Sequence, residues 1–71
     1  LGHLSDGTQI DTKLIVRNTL STNSTQILID NLRNNTTTQT GVVLPNSNSN
    51  VSLVWTGTVW AVTGNVSANF I

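Results

Sequence analysis

Cysteine, methionine, tyrosine and glutamate are all absent from this 71-residue chain, proline occurs once, and only 8% of the residues are charged. Each absence excludes something. Without Cys no disulfide can cross-link the fold. One His and three Asp make metal stapling a poor prospect and leave the acid–base inventory nearly empty. Three Lys+Arg against three Asp+Glu give a net charge of zero. That balance lacks the basic patch nucleic-acid binding requires. The shortage of Glu, Lys and Ala removes the charge-laced helical bundle and the coiled coil. No apolar run approaches the ~20 residues that cross a bilayer as a helix. The expectation is therefore a chain with no enzyme activity of its own, no cofactor, no nucleic-acid partner and no membrane insertion.

What stands in place of charge is Thr (12), Asn (10) and Ser (7). Thr favours strands, and Asn and Ser satisfy turns through their own side chains. A neutral polar surface of this kind resists changes of salt and pH, because little of its stability rests on titrating groups. Size sets a second constraint. A 7.6 kDa chain buries only about 60% of the surface that its unfolded form exposes. Conformational entropy consumes a comparable free energy, so a domain this small calls for a staple. With sulfur and metal excluded, oligomerisation is the expected route. The chain begins at Leu1 rather than Met, and Leu1–Thr12 has neither the basic nor the apolar region of a signal peptide. It reads as a single β domain or a C-terminal piece of a longer protein.

Along the chain, residues 1–11 read as a lead-in loop with a turn at Asp6-Gly7. Residues 12–44 hold the early strands. Thr12–Leu20 places Leu14, Val16 and Asn18 on one face, with Ile15 and Arg17 on the other. Ser21–Ser24 is a turn. Thr25–Leu32 follows as a strand with Ile27 and Ile29 opposite Leu28; a short helical stripe through Ile27, Leu28 and Leu32 is the weaker reading. Asn34-Asn35 turns the chain into a Thr-rich ribbon, and Gly41–Leu44 is an apolar strand stopped by Pro45. Residues 50–71 form a terminal hairpin region. Val51, Leu53 and Trp55 alternate with Ser52, Val54 and Thr56, and Trp60 and Val62 share a face after a tight turn at Thr56-Gly57. Gly64-Asn65 is the next expected turn, before a last strand over Val66–Ile71. No 20–50-residue repeat recurs. The fold class is all-β: a small antiparallel domain, sandwich- or prism-like, intertwined or packed as a homotrimer.

The segment Gly41–Val62 (GVVLPNSNSNVSLVWTGTVWAV) carries a resemblance. Leu44-Pro45, a polar loop, and then Val51, Leu53, Trp55, Gly57 and Trp60 resemble a terminal hairpin of bacteriophage tail fibres, tailspikes and related virion β-structures. Thr56 departs from that pattern, where Asp or Asn is commoner before the Gly. The match spans about a third of the chain. It implies a homotrimeric virion appendage, extracellular, whose partners are copies of itself, other virion proteins and a host-surface glycan.

Trp55 and Trp60 are the candidate ligand-binding residues, since an exposed indole stacks on a sugar ring. The competing reading places them in the core or a subunit interface, where each buries ~150–250 Å². Strict alternation puts the two on opposite sides, one in the core and the other at an interface. His3 would ligate a metal only if three copies met on a threefold axis, and otherwise reads as a solvated terminal residue. Asp6, Asp11 and Asp30 lack the dense spacing of a calcium loop and read as turn or surface residues. Asn-x-Ser/Thr triplets occur at Asn23, Asn34, Asn35, Asn50 and Asn65, a mild excess over composition. They are glycan acceptors only in a chain secreted by a eukaryote. No Ser or Thr is tied to His3 in a nucleophile–base pattern. The functional expectation is a viral structural protein, a trimeric tail-fibre, spike or head-fibre module for assembly and host attachment. The alternatives are a stand-alone carbohydrate-binding or adhesin module and a capsid decoration protein.

Overall fold

Alternation of apolar and polar side chains dictates the architecture, because a strand presents successive residues to opposite faces. The computed structural model describes residues 2–19 and 23–71, and they form seven strands and no helix. These are β1 (Gly2–Leu4), β2 (Lys13–Arg17), β3 (Thr25–Asn34), β4 (Thr37–Leu44), β5 (Asn50–Trp55), β6 (Trp60–Val66) and β7 (Asn69–Phe70). All seven belong to one sheet of order β2-β5-β6-β3-β4-β7, with β1 paired to β3 off that path. The all-β expectation holds. The pairing is mixed rather than purely antiparallel, since β1 and β6 both run parallel to β3.

Strand β3 is the pivot. Ile27–Ile29 pair with the residues of β1, and Leu32–Arg33 pair with Trp60–Ala61 of β6, while β4 occupies the other edge. A register break between Leu28 and Leu32 separates the two stretches, and Asn31 there takes a left-handed φ of 54°. Asn is among the few residues that adopt this conformation at low cost. The bulge bends the strand and re-aims Leu32, which is buried although it is out of step with Ile27 and Ile29.

The sheet is open. Ile29 and Leu32 of β3, Val42 and Leu44 of β4, Val51, Leu53 and Trp55 of β5, and Trp60 of β6 make a single buried cluster. Leu4, Leu14, Val16, Ile27, Val62 and Phe70 pack around it. One chain thus buries an apolar cluster of its own. Part of the missing staple is Asn18, 2% exposed, just past β2. Its Nδ2 donates to the Leu44 carbonyl at 2.8 Å and the Asn23 carbonyl at 2.9 Å, and its Oδ1 accepts from Thr25 Oγ1 at 3.3 Å. Its main chain bonds Ser49 and Asn48. One residue thereby ties β2, the 45–49 loop and the ends of β3 and β4. Among the described residues, no buried side-chain polar atom lacks a partner, so these groups carry no uncompensated desolvation cost.

Several boundaries move. The lead-in contains β1, because β3 offers it a free edge that periodicity in residues 1–11 could not reveal. The turn expected at Asn34-Asn35 sits one residue later, with Asn35 at φ 59°. Gly64-Asn65 lies inside β6, and the chain turns at Ser67, φ 56°. Pro45 ends β4 as expected. The turn at 21–24 falls partly outside the described residues.

Candidate functional site

The two tryptophans meet. Trp55 and Trp60 are directly paired across the β5–β6 ladder, with ring centroids 5.4 Å apart and planes inclined at 60°. The inference that they face opposite sides is corrected, because the connection is four residues, 56–59, rather than two. Counting parity through the strands fails when the loop resets it. Thr56 closes the loop: its N–H donates to the Val59 carbonyl at 3.0 Å, and its Oγ1 accepts from the N–H groups of Thr58 and Val59. Gly57, at φ 107°, supplies the conformation that L side chains avoid.

Neither indole offers a face to a sugar. Trp55 is 5% and Trp60 2% exposed, so both belong to the core. What covers them is the segment that reads as a plain loop in sequence. The Ser5 carbonyl accepts from Trp60 Nε1 at 2.9 Å. Gly7 lies flat on Trp55, where a Cβ would stand 2.5 Å from Cγ of the ring. Beyond it, the Asp11 N–H donates to the Trp55 carbonyl and the Trp55 N–H to the Thr12 carbonyl. The residues after β1 are therefore a strap over the aromatic pair. The one sequence signal for it was a glycine beside a turn-forming Asp.

His3 and the three aspartates fall in two places. His3 Nε2 lies 2.7 Å from Asp30 Oδ1, with both side chains about half exposed, and Asn31 Nδ2 donates to Asp6 Oδ1 at 2.7 Å. These contacts brace the β3 bulge from the strap side. Asp11 stands apart, in the turn before β2 at φ 71°. Among the described residues no three His or Asp side chains gather as a metal site, and no hydroxyl hydrogen-bonds the His3 ring. The pair acts as a polar clamp. A nucleophile for a general base to activate is not placed at it.

The concave feature lies elsewhere, on the outer face of β2, β5 and β6. A depression of about 260 Å³ is lined by Lys13, Leu14, Ile15, Ser52, Leu53 and Thr63. Ile15, placed by alternation on the face away from the core, is 65% exposed on its rim. The register explains the hollow: Ile15 pairs with Ser52, and Ser52 with Gly64. Two small residues side by side leave space that larger neighbours surround. The sequence signals were an isoleucine between two cations (Lys13, Arg17) and a glycine inside a strand. No family model, curated protein or solved structure matches this chain.

Proposed function

We propose that this chain is a β-structured module of a virion appendage, a phage tail fibre, spike or head fibre, which serves assembly and host-surface attachment as a homotrimer. The observation that carries the reading is the terminal hairpin. The residues that resemble the virion hairpins, Val51, Leu53, Trp55 and Trp60, are its buried face, and Gly57 is its turn. The rest of the support is chemical. A surface built from Thr, Asn and Ser with almost no charge keeps its structure outside a cell across salt and pH. Attachment, in this reading, runs through the polar surface and the outer face of β2, β5 and β6, since the indoles are occupied by the core. Gold-labelled antibody against the folded domain, viewed by electron microscopy on intact phage particles, tests the assignment. Labelled fibres or spikes are expected. Label over the shell would select a decoration protein instead, and unlabelled particles would overturn the reading.

A further inference from the structure

Four large apolar side chains stand exposed among the described residues: Ile10 (63%), Ile15 (65%), Val66 (56%) and Ile71 (42%). Two of them, Ile10 and Ile15, can be accounted for by one contact. We propose that the hollow in the outer face of β2, β5 and β6 receives the Ile10 loop of a second copy of this chain, joining copies head to tail. The inference rests on the self-association in the reading above and names its contact surface.

The receiving face is fixed by register. Three rows cross the strands: Lys13–Val54–Ala61, Ile15–Ser52–Gly64 and Arg17–Asn50–Val66. The middle row is low, and a Cβ built at Gly64 meets no atom within 4 Å. The rim is apolar at Ile15, and Lys13 and Arg17, two of the three cations in the chain, flank it along β2. The inserting element is complementary to it. The strap holds Asp6 and Asp11, two of the three acids, and between them Ile10 projects beside Gly57. An apolar knob with Asp11 next to it in the chain faces an apolar hollow flanked by cations.

The knob cannot enter its own hollow. Backbone hydrogen bonds of Asp11 and Thr12 to Trp55 pin the loop to the hairpin-tip end of β5. Ser52 lies three residues along that strand, about 10 Å away. The occupant is therefore another copy. A contact between two different patches is heterologous, and such contacts repeat until they close a ring or extend as a filament. The apolar insertion holds the contact together, and the opposed charges set orientation and encounter rate, which makes assembly weaken with salt.

Light scattering on size-separated protein across a wide concentration range tests this. Wild type is expected to associate, and less so in high salt. Gly64→Leu adds bulk beside Ser52, at the edge of the hollow, where a Cβ meets no atom within 4 Å, and replaces a strand glycine, so the fold stays intact by circular dichroism while self-association weakens at least about tenfold. Ile10→Asp removes the knob and is expected to do the same. If wild type associates and both variants associate equally well, the contact is overturned while the oligomer stands. A wild type that remains monomeric throughout overturns the contact and the oligomer together. Should Gly64→Leu misfold, Ile10→Asp alone decides.

Discussion

The β5–β6 hairpin and the N-terminal strap touch the same two indoles, yet they are built on opposite terms. In the hairpin, every second residue of β5 is buried, and each buried side chain meets a cross-strand or facing apolar neighbour. Its shape follows from a period of two and one glycine. The strap has no such pattern. Its three-residue strand, its glycine against Trp55 and its carbonyl on Trp60 have meaning only once the hairpin has presented those rings. A segment can thus be as firmly placed as a core strand while carrying almost no periodic signal, because its information lies in what it must fit.

The comparison can be broken most forcefully at the shared residue. Trp60→Ala removes a buried indole from the hairpin and the hydrogen bond that anchors the strap, and is expected to cost about 3–5 kcal/mol. For a domain of this size that is most of the total stability. Urea unfolding should show a largely unfolded chain at room temperature; a midpoint near wild type would mean that the indole is not the keystone of both regions. Asn18→Ala removes the buried amide that donates to the Leu44 and Asn23 carbonyls and accepts from Thr25, at a cost of about 1–3 kcal/mol. The same denaturation experiment measures it.

Gly7→Ala sharpens the contrast, because it acts on the strap alone. The added methyl collides with Trp55, and relief by backbone shift costs about 1–3 kcal/mol, the usual range for overpacking. Tryptophan fluorescence should move to the red, and amide exchange should quicken at Leu4 and Ser5 while β5 and β6 remain protected. Equal exchange in both regions would show them to be one cooperative unit. Smallest of all is His3→Ala. An exposed polar contact of this kind contributes about 0–1 kcal/mol, so a thermal melt within a few degrees of wild type is expected. A larger drop would reveal that the clamp on the β3 bulge bears structural weight.

Much of the site was legible for the same reason that the hairpin was. Placing Ile15 and Arg17 away from the core required only alternation, and the exposure of Ile15 agrees with it. The tryptophans were legible one at a time and illegible as a pair. Whether Trp55 and Trp60 share a face depends on a loop that closes through the Thr56 hydroxyl, which sequence spacing does not count. Asn18 was placed on the inner face correctly, but its role was hidden, since its acceptors lie five and 26 residues away. An internal staple was hidden with it: the hydrogen bonds of the buried Asn18 amide join the end of β2 to the ends of β3 and β4.

Composition and alternation by themselves determined that this protein is all-β and that Val51, Leu53 and Trp55 look inward. These properties are local, set by side-chain period and by which residue types are present. Only the tertiary structure decided that β1 and β6 share one edge of β3, that a featureless lead-in covers the aromatic pair, and that Ser52 beside Gly64 opens a hollow. Each of those depends on two stretches of chain arriving at one place, and distance along the sequence does not encode distance in space.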